Sequence, residues 1–550
     1  MNSTTAPVTH YFDTMPADRM IFSRLLEERA QAIPDQCFFT FESSHYSYAE
    51  FNRLANRVAR NLAEMGIGYG SVVAVLMDTS PDYLALWFAL GKLGATEVPI
   101  NTAYHGDILL HQLCTSGATL ACVDTAYLAV IRKVRDESSV GQCLVRGDVD
   151  ELIPATEQPF AVCLRTQPEH NLDIDIQYQD IGGIIFTSGT TGPSKGVLLS
   201  FRYLTAYGVM YADVNSLQAD DVIMNFLPFF HMSGKFLTIA TLVCGGQMRL
   251  LQRLSISTFL DEVRTYGITN FVGVGGICNM LLSKPASPAD REVSIRSIYA
   301  VPDPDPTHHE LINRFDCRIT TVFGSTESGL PIYRGGVNEG YQAGSCGKAS
   351  PLYDVRIVDT LDNEVPIGES GEIVVRPKQP YLIASGYVGM PQKSVEAWRN
   401  LWFHTGDVGR QDVDGWFYFE DRVSDSLRRR GENISSFEVE VLVGKHTAVS
   451  EVAAVAYPSE LGEDEVRVFV IIRNGHSVTA EALFLHCRDT MPYFMVPRFI
   501  DIVSEFPRTP TAKIEKYKLR NNPKTNSTWD CVEHNWRISK KGIVKAIAEH

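Results

Sequence analysis

Hydrophobic positions along the chain follow two spacings in turn. From Tyr48 to Met65 the apolar residues recur at helical spacing, and the short apolar run Val72–Met77 that follows is typical of a strand. A second helix is predicted to begin near Pro81. The same alternation continues, with further strands predicted at Gly182–Thr187, Asn270–Val274, Ser297–Val301 and Arg318–Phe323. This pattern favours an α/β fold with largely parallel sheets.

The pattern changes between about Tyr353 and Arg376. Two alternating runs, Val355–Val358 and Glu372–Val375, flank a stretch rich in turn residues and read as antiparallel strands. A compact β subdomain is therefore predicted at about 335–420.

A basic stretch followed by α+β patterning begins after Asp421. It predicts a small α+β C-terminal domain beside a large N-terminal domain of layered α/β subdomains. The expected parts are an N-terminal domain at 1–422, a C-terminal domain at 423–523 and a tail at 524–550. Few apolar positions occur in the tail, which favours a packed terminal helix over a membrane anchor.

Composition narrows the classes of protein. The chain has 550 residues, of which 45% are hydrophobic and 21% charged, as in globular proteins. Its formal charge of −15 argues against nucleic-acid binding, which needs a basic surface. We find neither a secretory signal pattern nor an apolar run long enough to span a bilayer, and we expect a cytoplasmic protein. The 11 cysteines form no Cys-x-x-Cys pair and are expected to be reduced thiols.

A loop rich in glycine and hydroxyl residues follows the apolar run Ile184–Phe186. Its glycines let backbone N–H groups turn around an anion, its hydroxyls add donors, and its lysine adds a charge. The glycine spacing differs from the Gly-x-x-x-x-Gly-Lys loop, but the composition still predicts a phosphate site. The predicted phosphate-binding residues are Thr187, Ser188, Gly189, Thr190, Thr191, Gly192 and Lys195.

Further segments follow this loop in a fixed order. They are Asn225–His231, Thr321–Glu327, Trp402–Asp407 with Asp421-Arg422 after it, Leu427–Glu440 and Pro507–Ile514. Together with the loop they resemble the motifs of the acyl-adenylate-forming (AMP-binding) superfamily, which includes acyl-CoA synthetases, luciferases and peptide-synthetase adenylation domains. The resemblance covers about Phe22 to Arg520. Within it, the segments Arg428–Ser435 and Lys516–Arg520 look most like crotonobetaine/carnitine-CoA ligase members.

The resemblance implies where ATP binds. It assigns Phe323, with Gly324 beside it, to the adenine face, Thr326 to phosphate and Glu327 to Mg²⁺. A hard cation prefers carboxylate oxygen, which agrees with the last assignment. Asp407 and Arg422 are expected to bind the ribose hydroxyls from two sides.

The resemblance also implies how the acid and CoA are handled. Lys513 is expected to enter the site for adenylation, and the mobile C-terminal domain then turns about a hinge at Ser424. The remaining expected positions are Arg430, Gly431 and Glu432 for the nucleotide of CoA, and His231, Gly273, Gly275 and Gly276 for the acyl group. Lys235 would favour a second carboxylate on the acid if it lay in the acyl pocket.

The expected activity is therefore that of an AMP-forming acid:CoA ligase, which uses ATP, Mg²⁺, CoA and a small carboxylic acid. Two alternatives stay open. One is an adenylating enzyme with another acceptor, either a carrier protein or oxygen. The other is a catalytically impaired nucleotide-binding homologue, since Ser424 replaces the usual Lys or Asp and Ala512 replaces the usual Gly. The sequence also leaves open whether the enzyme forms a homo-oligomer.

Overall fold

A computed structural model describes residues 11–148, 152–153, 155–187, 193–274, 277–301, 308–422, 426–430, 432–459, 464–507, 514–539 and 542–545. Contacts divide these residues into two compact units. The first lies within Met1–Thr102, Leu113–Ile185 and Gly196–Asp421. The second lies within Ala103–Gln112, Phe186–Lys195 and Arg422–His550. Two short inner segments thus group with the C-terminal residues, and the domain bounds expected from the sequence stay a prediction.

The helices are α1 Tyr11–Thr14, α2 Phe22–Ala32, α3 Tyr48–Glu64, α4 Pro81–Leu93, α5 Gly106–Ser116, α6 Thr125–Arg132, α7 Phe201–Asn215, α8 Met232–Cys244, α9 Phe259–Tyr266, α10 Ile277–Leu282, α11 His308–Phe315, α12 Pro391–Ala397, α13 Ser436–Gly444, α14 Ala480–Thr490 and α15 Lys516–Arg520.

The strands up to the middle of the chain are β1 Cys37–Phe41, β2 Ser44–Ser47, β3 Val72–Leu76, β4 Thr96–Pro99, β5 Leu120–Asp124, β6 Gln142–Arg146, β7 Glu157–Pro159, β8 Ile181–Thr187, β9 Lys195–Ser200, β10 Val222–Asn225, β11 Gln247–Leu250, β12 Asn270–Val274, β13 Ser297–Val301 and β14 Arg318–Ser325. The later strands are β15 Gly329–Arg334, β16 Gly347–Ala349, β17 Tyr353–Val358, β18 Gly371–Pro377, β19 Phe403–Gln411, β20 Trp416–Arg422, β21 Ser426–Arg429, β22 Glu432–Ser435, β23 Val449–Pro458, β24 Asp464–Ile472, β25 Phe499–Ile502, β26 Trp529–Asp530, β27 Trp536–Ser539 and β28 Gly542–Lys545.

Two sheets form the frame of the first unit. One has the order β7-β6-β5-β3-β4-β8-β9, and the pairs from β7 to β8 are parallel. The other has the order β17-β18-β19-β20-β16-β15-β14-β13-β12-β10-β11-β1-β2. It is parallel from β14 to β1 and antiparallel from β17 through β19. The strands of the expected β subdomain therefore continue the larger sheet through β16 and β15.

Local signals explain where two helices begin and end. The α3 helix starts at a capping box, in which Ser47 and Glu50 each satisfy the other's backbone N–H. The α4 helix follows the N-cap Ser80, has Pro81 in its first turn, and ends at Gly94 with a left-handed φ of 65°. Both helices and the strands expected from the sequence lie within a residue or two of the predicted positions.

Helices α2, α4, α7 and α8 pack on one another in the core of the first unit. The Phe22 ring lies 4.6 Å from that of Trp87, 5.3 Å from that of Phe88 and 5.7 Å from that of Phe201. From Tyr83 to Leu93 every residue of α4 is buried. Among the described residues, no helix has both the length and the apolar character needed to cross a membrane.

The second unit is built on the sheet β23-β24-β25-β26, against which α13 and α14 pack. The tail is part of this unit. The prediction of a terminal helix there is wrong for the described residues, which form β26, β27 and β28. Trp529 and Trp536 lie 5.1 and 5.4 Å from the ring of Phe484, and this long-range aromatic burial outweighs the weak local pattern.

A close contact between α7 and α8 yields a prediction about stability. A Cβ atom at Gly208 would lie 2.6 Å from the Cβ of Ile239. We expect Gly208→Ala to destabilise the first unit by about 1–3 kcal/mol, because overpacking outweighs the gain of roughly 1 kcal/mol in helix propensity. The matched control is Gly444→Ala in α13, where nothing lies within 4 Å and the propensity gain stands alone. Thermal unfolding of both variants measures whether each substitution raises or lowers the stability. A Gly208→Ala variant more stable than the parent would contradict the packing argument.

Candidate active site

Glu327 lies in a tight turn between β14 and β15. The Ser325 N–H donates to the hydroxyl of Ser328 at 3.1 Å, and the Ser328 N–H donates to the hydroxyl of Ser325 at 3.1 Å. These reciprocal bonds fix the backbone on both sides of Thr326 and Glu327. The turn therefore presents a hydroxyl and a carboxylate at the carboxyl end of β14, the edge at which α/β sheets bind ligands.

Gly324, just before the turn, has no room for a side chain. A Cβ atom there would lie 2.0 Å from the carbonyl oxygen of Gly329, and Gly329 has a left-handed φ of 75°. The two antiparallel strands approach each other there at a distance that only glycine permits. This close approach constrains the turn that carries Glu327.

Tyrosines on two other elements hold the same turn. The Tyr203 hydroxyl donates to the carbonyl of Thr326 at 2.9 Å, and the Tyr387 hydroxyl donates to Oε1 of Glu327 at 3.3 Å. Burial, followed by the nearby Glu327 carboxylate, raises the pKa of Tyr387 well above its ordinary value. Tyr387 therefore remains a donor that orients the carboxylate.

The strand that follows the phosphate loop lies beside Tyr387. The Leu198 N–H on β9 donates to Gly386 O at 2.9 Å, and the Val388 N–H donates to Gly196 O at 2.8 Å. The chain leaving the loop is thus paired with the segment that reaches Glu327. Of the predicted phosphate-binding residues, Thr187 ends β8 and Lys195 begins β9, while Ser188, Gly189, Thr190, Thr191 and Gly192 lie outside the described residues.

Asp407 lies on β19 at the end of a short polar network. It is only 5% exposed. The preceding Gly406 N–H donates to Oε1 of Glu372 at 3.0 Å, and Nδ1 of His404 lies 2.9 Å from the other oxygen of Glu372. Burial acts to raise the pKa of Glu372, but the bond to His404 and the other partners prevail and lower it. An ionised Glu372 therefore fixes the left-handed turn at Gly406 that precedes Asp407.

Of the other residues predicted to bind the nucleotide, Phe323 is described in full and Arg422 only in its backbone. Phe323 is half-buried, and its ring lies 6.2 Å from that of Phe419 on β20. Arg422 ends β20. The side chain of Arg422 and the residues Ser424, Gly431, Gly275, Gly276, Ala512 and Lys513 lie outside the described residues.

Two of the residues predicted to bind the acyl group, His231 and Gly273, lie on different elements. His231 is the N-cap residue of α8, half-buried, and its ring lies 4.7 Å from that of Phe230. At Gly273 a Cβ atom would lie 2.5 Å from Sγ of Cys278, so the absent side chain makes room for α10.

The second unit has its own contacts at the end of the phosphate loop. The Ser194 N–H donates to Oε1 of Glu438 at 3.0 Å, and Nε2 of His111 lies 2.8 Å from Ser194 O. Burial raises the pKa of Glu438, although the bonds from Ser194 oppose the shift. In the same unit Arg430 is exposed and Glu432 is half-buried.

Comparison with known proteins decides the family. The model of the AMP-binding enzyme family matches residues 26–388, and that of the AMP-binding enzyme C-terminal domain matches residues 438–513. The chain belongs to the AMP-binding enzyme family.

Individual relatives agree with this assignment. The crotonobetaine/carnitine-CoA ligase of Salmonella heidelberg is 29% identical over 514 residues, which cover 90% of this chain and 98% of the relative. The o-succinylbenzoate CoA synthetase of Bacillus subtilis, a double mutant bound to a product analogue, superposes with a TM-score of 0.81 at 22% identity, covering 92% of this chain and 99% of that one. The amide bond synthetase McbA of Marinactinospora thermotolerans gives a TM-score of 0.79 at 22% identity, covering 91% and 99%.

These matches confirm the prediction of a member of the AMP-forming acyl-CoA ligases, acid–thiol ligases that use a small acid, ATP and CoA. The Mg²⁺ ion stays a prediction. They also confirm the large N-terminal and small C-terminal α/β architecture. The residue roles stay predictions.

Sequence reasoning missed the residues that orient the predicted site residues of this AMP-binding enzyme through hydrogen bonds. Tyr203 and Tyr387 contact the predicted residues Thr326 and Glu327, and Glu372 contacts Gly406 beside the predicted Asp407. All three lie far from these partners in the chain, and their local sequence gives no sign of the contact. Glu438 was also missed, although it lies in the segment expected to face CoA.

In this AMP-binding enzyme, Lys235 forms a buried ion pair with Glu97. It is buried in the first turn of α8, its Nζ lies 2.5 Å from Oε2 of Glu97, and it sits 4.3 Å from the centroid of the Trp87 ring. The Tyr83 hydroxyl donates to Oε1 of Glu97 at 2.8 Å. Burial lowers the pKa of Lys235, although the Glu97 carboxylate opposes the shift. A carboxylate of the protein thus takes the position that a second substrate carboxylate would need.

This pair yields a prediction about buried charge. We expect Glu97→Gln to destabilise the first unit by about 3–5 kcal/mol, because Lys235 is left buried without a counter-charge. Adding Lys235→Met removes the unpaired charge and should restore most of the lost stability. The amide oxygen introduced at position 97 can still accept from the Tyr83 hydroxyl. Denaturant unfolding of the single and double variants measures the coupling. Equal destabilisation of both variants would exclude charge imbalance as the cause.

Proposed function

We propose that the chain forms an acyl-CoA in two half-reactions at the site around Glu327. In the first, a carboxylate oxygen bonds to the α-phosphorus of ATP, the bond to the β-phosphate oxygen breaks, and pyrophosphate leaves. In the second, the sulfur of CoA bonds to the acyl carbon, AMP leaves, and the thiol proton is released. The observation that carries the assignment is the Thr326–Glu327 turn, tied by Tyr387 to the strand that follows the phosphate loop.

Roles in ATP binding follow from chemistry and position. Phe323 and Gly324 are assigned to adenine, Asp407 and Arg422 to ribose, Thr326 and the residues Thr187–Gly192 to the phosphates, and Lys195 to the charge of the leaving group. Asp407 suits its role because an ionised carboxylate accepts hydrogen bonds from both ribose hydroxyls.

Glu327 fits the magnesium role. Its turn offers hard oxygen donors, and Mg²⁺ is usually held by one or two carboxylates together with substrate phosphates. Within the described residues no group of three or more His, Cys, Asp or Glu could hold a metal, which is compatible with such a phosphate-shared ion. When bound, Mg²⁺ neutralises charge on the triphosphate. The protein's part is to orient the Glu327 carboxylate through Tyr387.

Lys513 is assigned to bridge the substrate carboxylate and the α-phosphate. Both groups are negative, so a cation between them lowers the energy of the transition state more than that of either reactant. Rotation about Ser424 would then withdraw Lys513 and bring Arg430, Gly431 and Glu432 toward CoA. Ser424 and Ala512 depart from the usual residues, and the rate of this rotation is where we expect their effect.

The acyl group is assigned to His231, Gly273, Gly275 and Gly276. The pairing of Lys235 with Glu97 disfavours a dicarboxylic acid that would need this lysine. A sequence identity of 29% to crotonobetaine/carnitine-CoA ligases makes short-chain hydroxylated or unsaturated acids the first candidates.

A cytoplasmic location is part of the same proposal, because ATP and CoA are available there and the 11 cysteines are free thiols. Acid- and CoA-dependent release of pyrophosphate and AMP, screened over such acids, tests the activity. Release of AMP without any dependence on CoA would favour another acceptor.

Lys513→Ala should separate the half-reactions. We expect acid-dependent exchange of pyrophosphate into ATP to fall by about 10²–10³-fold, or ~2.7–4 kcal/mol, because a transition-state donor is lost. Transfer from supplied acyl-adenylate to CoA should change little. The matched control is Lys518→Ala, which removes an exposed lysine paired with Glu515. An equally severe loss in the transfer step would contradict the division of labour.

Glu327→Gln keeps the shape of the side chain and removes its charge. We expect the exchange rate to fall by about 10²-fold and the Mg²⁺ concentration needed for half the maximal rate to rise. Glu369→Gln, in an exposed turn, serves as the control. An unchanged Mg²⁺ requirement would remove Glu327 from the metal role.

A further inference from the structure

The described residues after Lys524 form an addition to the second unit. They lie beyond residue 513, where the match to the family's C-terminal model ends. Strand β26 pairs with β25 through Asp530 and Trp529, and β27 and β28 form an antiparallel hairpin in which Ile538 faces Ile543. We call β27 and β28 the tail hairpin.

Trp536 anchors the tail hairpin. It is 8% exposed, its ring lies 5.4 Å from that of Phe484, and its indole N–H donates to Oε1 of Glu481 at 3.0 Å. Lys545, which pairs with Trp536 across the hairpin, reaches the same Glu481 oxygen at 2.8 Å, but its side chain is 57% exposed. Trp536 is thus the buried attachment and Lys545 a surface one.

The tail hairpin contacts the basic turn between β21 and β22. Nη1 of Arg430 donates to the carbonyl oxygen of Ile538 at 2.8 Å, and its guanidinium lies 5.9 Å from the ring centroid of Tyr493. Arg430 also has a left-handed φ of 56°, which is unfavourable for a residue with a side chain and needs support from its surroundings. The bond to the hairpin carbonyl restrains the side chain of this residue.

The neighbouring arginine has a different task. Arg429 is 2% exposed and donates to the carbonyls of Phe494 and Val496 at 3.1 and 2.7 Å, and it pairs with Glu465. Its guanidinium is therefore engaged inside the unit. Arg430 is exposed, and a guanidinium with five N–H donors can bind an anion from solvent while it donates to Ile538.

We propose that the tail hairpin positions Arg430 for the phosphates of CoA, with Trp536 as the positioning residue. This inference rests on the proposed acyl-CoA function. A long side chain that is held before CoA arrives loses less conformational freedom on binding. The hairpin therefore acts on the affinity for CoA and leaves the adenylation half-reaction unaffected.

The test uses the full-length enzyme with three single substitutions. We expect Trp536→Ala to raise the KM for CoA roughly tenfold, about 1.4 kcal/mol, with pyrophosphate exchange within about twofold of the parent. Trp536→Phe keeps the packed ring and should restore the KM, and Lys545→Ala should leave it unchanged. With pantetheine, which lacks the nucleotide phosphates, all variants should have the same KM.

A double-variant cycle locates the effect. In an Arg430→Gln background, Trp536→Ala should raise the KM for CoA no further, because both substitutions remove the same interaction, that of Arg430 with CoA. Ending the chain after Asn535 removes Trp536 and Ile538 together and should give the same rise in the KM for CoA as Trp536→Ala.

Particular results overturn the inference. A KM for CoA within twofold of the parent in the folded variants, an equal rise with pantetheine, or full additivity with Arg430→Gln would each exclude the positioning role while the ligase function stands. A parent enzyme that exchanges pyrophosphate but never transfers its acyl group to CoA would instead remove the proposed function and this inference together.

Discussion

The close approach of the antiparallel strands β14 and β15 at Gly324 is the constraint on which the geometry of the site depends. An added Cβ would lie 2.0 Å from the Gly329 carbonyl oxygen, so the backbones pack without a side chain between them, and the reciprocal bonds of Ser325 and Ser328 hold the turn that follows. A carboxylate on such a turn needs little reorganisation when charge develops nearby. Tyr203 and Tyr387 then tie this turn to α7 and to the segment that is paired with β9, so the turn aligns groups from both sheets.

Buried charge plays a second organising part, centred on α4. This helix is buried on all sides, yet it carries Lys92, which pairs with Glu27 on α2, and Tyr83, which donates to Glu97 on β4. Glu97 in turn holds Lys235 at the start of α8, four residues after His231. Such pairs are expensive to desolvate and add little net stability, but they penalise any other packing. They fix where the N-terminus of α8, and with it His231, can lie.

The sequence predicts features that are encoded locally. Apolar runs predict β3, β12, β13 and β14, and the helical spacing from Tyr48 to Met65 predicts α3, because these signals lie within one element. The phosphate loop and the turn at Glu327 are predicted by residue type and family resemblance. Features that depend on distant partners are not predictable in this way. Nothing near Lys235 points to Glu97, nothing near Gly406 points to Glu372, and Arg429 resembles Arg430 in sequence although one is buried and the other exposed. The tail was mispredicted as a helix for the same reason, since Phe484 decides its conformation.

The tail has a further consequence for the edge of the sheet in the second unit. Without β26, the backbone of β25 would present four residues of hydrogen-bonding groups to another chain. Strand β26 covers that edge and is itself only two residues long, followed directly by the buried Cys531. Very short edge strands are poor templates for pairing between molecules. The same segment that closes the unit thus protects the folded protein against edge-to-edge aggregation.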